Sequence, residues 1–158
     1  FLLHIRVDYP TPEAEQQVLR LVREQMRQGD VMEHFSGDQV SRETVMAARK
    51  EVLSLHLVDA LETYMVQLID ATRNPGPYDP ALQGMIAYGA SPRGTIALDL
   101  AARAHAWLHG RDYVSPADIH EIAADVLRHR ILLTYDAEAD GVTPDEVIGR
   151  LLSLVPVP

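Results

Sequence analysis

Four times in this chain a serine or threonine stands immediately before a proline: Thr11-Pro12, Ser91-Pro92, Ser115-Pro116 and Thr143-Pro144. Proline fits the first position of a helix because its missing N–H would have no partner there, and a preceding Ser or Thr can accept from the free amides of the first turn. Each pair therefore predicts a helix start. Three of the pairs are followed in the first turn by acids that complement the helix dipole: Glu13 and Glu15, then Asp118, then Glu146, whose spacing from Thr143 is that of a capping box. The fourth, in the stretch GASPRG (89–94), is followed by Arg93 instead. A cation in a first turn is electrostatically misplaced unless an anion comes to the site.

Apolar spacing of three and four residues extends these starts into six predicted helices. The first carries Val18, Leu19, Val22 and Met26 on one face and stops at Gly29. Ser41 opens the second, with Val45, Ala48 and Val52. Asp59 is taken as the cap of the third, whose face is Leu61, Met65, Leu68 and Ile69 and which ends by Asn74-Pro75. From Pro92 the spacing of Ile96, Leu100, Ala104, Trp107 and Leu108 runs to Gly110, a C′ residue. Ile119, Ile122, Ala123, Val126 and Leu127 follow Ser115, and Val147, Ile148, Leu151 and Leu152 follow Thr143. Residues 74–91, rich in proline and glycine, read as one long loop. Only LLHIRVD alternates with period two, through Leu3, Ile5 and Val7. A lone strand cannot satisfy its own backbone, so it requires a sheet from elsewhere or is an irregular tail. The predicted fold class is all-α, a helical bundle of about six helices with one orphan N-terminal strand.

Composition narrows the function. A length of 158 residues with 47% apolar content suits one domain with a sizeable core. The opening residue is Phe1 and no signal peptide precedes the first helix, so a piece of a longer cytoplasmic protein is expected. No apolar run is long enough for a membrane span. The net charge of −9 argues against nucleic acid, whose binding rests on a basic face. His105 and His109 share a helical face at a spacing suitable for two metal ligands, but no third ligand stands at a short spacing, and His120-Glu121 lacks the second histidine of a metalloprotease motif. No metal site is expected. Asp8 with Glu13, and Asp136 with Glu138 and Asp140, sit where acids cap turns. There is no cysteine and no G-x-S-x-G elbow. A phosphate-binding loop needs a lysine after glycine, and the single lysine, Lys50, follows Arg49. The residues alone leave Arg93 two readings: extended into solvent or paired with an acid such as Asp99, or aimed with its helix N-terminus at a phosphate, for which a planar, always-charged guanidinium is suited.

The order YPTPEAEQQVL, LIDATRNP, GASPRGTIALDLAARAHAWLHGRDYVSPADI and VLRHRI resembles the C-terminal part of the MoxR-type AAA+ ATPases over about residues 1–133, with 134–158 matching less specifically. The magnesium-chelatase ATPase subunit has a similar lid. The resemblance implies that residues 1–10 are a remnant of the AAA+ core ending its last strand, and that 11–158 are the helical lid domain carrying the sensor-2 motif. It assigns Arg93, and only Arg93, as the sensor-2 residue that reaches the γ-phosphate of ATP. Walker A, Walker B, sensor 1 and the arginine finger would lie upstream of Phe1. ATP and Mg would thus be bound by the full-length protein only, no catalytic residue would lie in this stretch, and the chain alone would be inactive. The partners implied are the missing core of the same chain, a homo-oligomeric ring and a protein with a von Willebrand A domain. The role implied is to couple ATP binding and hydrolysis to chaperone-like remodelling or metal-cofactor insertion. Two other classes remain: a stand-alone helical protein-interaction module with no nucleotide role, and a helical DNA-binding domain, which the charge disfavours.

Overall fold

The structure, a computed structural model, describes residues 1–28 and 39–158. Among these it contains eight helices: α1 (Pro12–Gln28), α2 (Arg42–Ser54), α3 (Asp59–Arg73), α4 (Pro80–Gln83), α5 (Pro92–Leu108), α6 (Pro116–Leu127), α7 (Tyr135–Ala139) and α8 (Pro144–Leu154). Two short strands, β1 (Ile86–Tyr88) and β2 (Leu132–Leu133), form one antiparallel pair, with Ile86 opposite Leu133 and Tyr88 opposite Leu132. The all-α bundle class holds. Two compact units are present, one of Phe1–Ile5 with Met46–Pro158 and one of Arg6–Val45.

Most predicted starts are where the punctuation put them. Thr11 accepts from the Ala14 amide at 3.3 Å and Ser41 from the Thr44 amide at 3.1 Å. Thr143 accepts from the Glu146 amide at 3.3 Å, and the Glu146 carboxylate accepts from the Thr143 amide at 2.7 Å, completing the predicted box. Gly110 adopts φ +70°, as a C′ residue after α5 should. The predicted stop at Gly29 lies outside the described residues. Two caps differ: the residue before α3 is Val58, with Asp59 the first helical residue, and Ser91 stands at the α5 cap position without a side-chain hydrogen bond.

Residues 74–91 are not one loop. Asp79 caps α4 by accepting from the Ala81 amide at 2.9 Å, and β1 follows. Thr134 ties that region to the far end of the chain: its amide donates to the Met85 carbonyl at 2.9 Å and its hydroxyl to the Gly84 carbonyl at 2.9 Å. No strand forms over LLHIRVD; of the two alternatives, the irregular segment is found.

In the larger unit α5 lies against α6, with α3 packed on α5 and α8 on α6 and α3. The predicted faces of α3, α6 and α8 are the buried ones. The face of α5 is not. Ile96 and Leu108 are exposed, and the buried residues are Gly94, Ala97, Leu98, Ala101, Ala102 and Ala106. Four alanines give α5 a narrow side that its neighbours can approach closely, and that close packing outweighs the larger apolar residues on the opposite side. In the smaller unit the apolar face of α1, Val18, Leu19, Val22 and Met26, is exposed.

Candidate functional site

The start of α5 is fixed by its attachment to the end of α3. Thr72, fully buried near that end, donates its hydroxyl to the Ile69 carbonyl at 2.7 Å and accepts from the Ala90 amide at 2.8 Å. The chain passes so close here that a Cβ on Gly89 would lie 2.4 Å from the Thr72 carbonyl oxygen. One turn on, a Cβ on Gly94 would lie 2.9 Å from Ile69 Cδ1 and 3.6 Å from Leu127 Cδ2, so this glycine seats α5 between α3 and α6. A clasp on one side and a wedge on the other leave the first turn little freedom. Gly94→Ala should destabilise by about 1–3 kcal/mol through overpacking, read as a fall in the thermal midpoint without loss of helical circular dichroism.

Arg93 stands at the second position of this anchored turn, between exposed Pro92 and buried Gly94. It is exposed, and among the described residues it has no ion pair or hydrogen bond. The pairing with Asp99 does not occur, because Asp99 accepts from Arg103 Nε at 2.7 Å, and Arg103 also donates to the Leu55 carbonyl. The chain thus holds a free guanidinium on a fixed base, beside amides at a positive helix end. Anion binding is what such a group can do chemically.

The C-terminal end of α5 is held by a buried carboxylate. Asp118 is fully buried, a setting that on its own raises a carboxyl pKa. It nevertheless accepts from both terminal nitrogens of Arg111, from the Ser115 hydroxyl at 2.7 Å and amide at 2.8 Å, and from His105 Nδ1 at 2.7 Å. These donors outweigh burial and hold the carboxyl well below the usual range. The spacing in GRDYVSPAD therefore does more than cap α6; it ties α5, the following turn and α6 to one charge. Because the folded pKa is depressed, the stability this group contributes is complete above about pH 5 and is lost as pH falls through and below about 4, the unfolded carboxyl's range. Arg111→Gln should shift the onset of acid unfolding to higher pH, since burial then acts on Asp118 with fewer opposing donors; an unchanged onset in a pH series of thermal melts would refute this.

His105 and His109 are adjacent, ring centroids 4.3 Å apart, but His105 is committed to Asp118 and His109 Nδ1 donates to the His105 carbonyl at 2.8 Å. Among the described residues no group of three His, Cys, Asp or Glu is placed to hold a metal. No described helix is long and apolar enough to cross a membrane. Thr72, Gly89, Gly94 and Asp118 support the site or its helix without having stood out in the sequence as supports; the signal that could have found two of them is the pair of glycines that bound GASPRG.

Residues 81–151 match the AAA lid domain. The whole chain aligns at 39% identity with Chaperone MoxR1 of Mycobacterium tuberculosis, covering 40% of that protein, and at 34% with the uncharacterized protein YeaC of Bacillus subtilis, covering 45%. Protein MoxR of Paracoccus denitrificans is 39% identical over 65% of this chain. A crystal structure of a candidate ATPase from Cytophaga hutchinsonii superposes on the whole chain with TM-score 0.89 at 36% identity, the match covering 47% of that protein. The chain thus spans less than half the length of these relatives. Lid-domain match, full-length alignment of this chain and shared fold agree: the chain belongs to the MoxR-type AAA+ ATPases and corresponds to their lid-bearing C-terminal region.

Proposed function

We propose that this chain is the lid and sensor-2 region of its ATPase, and that Arg93 contacts the γ-phosphate of ATP held between the lid and an AAA+ core. In this reading residues 1–10 end the core, 11–158 form the lid, and the Walker residues and Mg site belong to the core. Loss of the γ-phosphate would release Arg93 and let the lid change its angle, passing motion to the next subunit of a ring. The output would be chaperone-like remodelling or metal-cofactor insertion, with a von Willebrand A domain protein as partner. The observation that carries the reading is a guanidinium without a partner among the described residues, on a doubly anchored helix start. The uncovered apolar face of α1 also supports it, since a core would supply a surface to bury it.

The coding sequence upstream of Phe1 provides one test. A G-x-x-x-x-G-K-[ST] run within a few hundred codons, after a predicted strand, is the expected finding. Its absence would leave the stand-alone interaction module as the better account.

A further inference from the structure

Phe1–Ile5 forms no sheet, yet its backbone is not left to water alone. The His4 amide donates to the Asp125 carbonyl at 2.8 Å, and the His4 carbonyl accepts from Arg128 Nη1. Arg130 Nη2 donates to the Phe1 carbonyl at 2.7 Å. The His4 ring meets His129 edge-on, centroids 5.8 Å apart. Every one of these holding residues lies in the last turn of α6 or the three residues after it.

Arg128 is the centre of this corner. Its side chain is 14% exposed; Nε donates to Asp145 Oδ1 at 2.9 Å and Nη2 to Asp145 Oδ2 at 3.3 Å, while Nη1 serves both Asp125 and the His4 carbonyl. Asp145 sits in the first turn of α8, so one arm of the guanidinium already joins α6 to α8. The arm to His4 adds nothing to that junction. We propose that Arg128 is a latch residue that fastens the backbone of Phe1–Ile5 to the α6–α8 corner of the bundle. Five fixed donors let one arginine reach three acceptors, which a lysine ammonium on its flexible stem cannot span together. Resting on the function proposed above, in which Phe1–Ile5 belongs to the core, the latch is a contact through which lid orientation bears on the core.

The test is amide hydrogen exchange on the full-length protein without nucleotide, reading residues 2–5 against amides 122–127 of α6 in the same sample. That ratio discounts any general loss of stability. In Arg128→Gln the relative protection of 2–5 should fall about tenfold, the loss of one charge-assisted hydrogen bond and the order it imposes. Asp145→Asn, which weakens only the α8 arm, should leave the ratio unchanged. The latch is overturned if Arg128→Gln leaves the ratio as in the parent, or if Asp145→Asn lowers it equally. Should Arg128→Gln not fold, Arg128→Lys keeps the cation without the fork and must show the fall. With no nucleotide in the sample, failure here is separate from failure of the Arg93 reading.

Discussion

Replacing Arg93 by alanine in the full-length protein is expected to lower ATP turnover by about tenfold or more and leave the bundle intact. An arginine finger supplies about 10³–10⁵ in rate by stabilising charge on the transferring phosphoryl group. A sensor arginine that acts through lid closure as well as chemistry contributes less, hence the lower figure. Arg93 is exposed and bonded to nothing else among the described residues, so its truncation removes no contact on which folding depends. Stability should change by no more than about 0.5 kcal/mol. Arg93→Lys should recover only part of the turnover, because it restores charge but not the bidentate geometry. Steady-state ATPase assays beside thermal melts separate the two effects, and full activity in the alanine variant would remove Arg93 from the mechanism.

The opposite pattern is expected of Asp118→Ala. Here the loss is structural: Arg111 and His105 lose the carboxylate to which both donate, and the Ser115 cap is opened. Removing the buried carboxylate of such a network costs about 3 kcal/mol, because several hydrogen bonds to one charge are lost together, while Arg111, 29% exposed, turns to water. For a chain of this size that corresponds to a fall of about 10 °C in the thermal midpoint. Asp136→Ala, the same truncation at an acid in the first turn of α7, should stay within about 0.5 kcal/mol. Calorimetry on both variants checks the contrast. Equal losses would mean that the Asp118 cluster is no more than a surface network.

What the chain discloses to a reader of sequence alone follows from the range of each interaction. The caps at Thr11, Ser41 and Thr143 are local, made within three or four residues, and were legible. So were the one-sided faces of α3, α6 and α8, where large residues do the burying. On α5 size misled: the helix is seated by what it lacks, and alanine spacing carries little signal beside Ile96 and Leu108. Elements α4, α7, β1 and β2 are too short to show a period, and β1 depends on β2, more than forty residues away in sequence. The candidate site was half legible. The misplaced charge at Arg93 could be seen by contrast with the other three helix starts, and the family resemblance attached an expected role to it. Its freedom from Asp99 depended on Arg103 taking that carboxylate, and its firm base on a threonine eighteen residues before Ala90.

The approach of Gly89 to the Thr72 carbonyl has a practical corollary for anyone mapping this chain by saturation mutagenesis. A screen scored on activity would return Gly89 as intolerant as any ligand-contacting position, although it offers no side chain to a nucleotide. Sorting the survivors by abundance before scoring would separate the two kinds of intolerance: substitutions at Gly89 would vanish from the pool of folded protein, whereas substitutions at Arg93 would persist there as silent passengers.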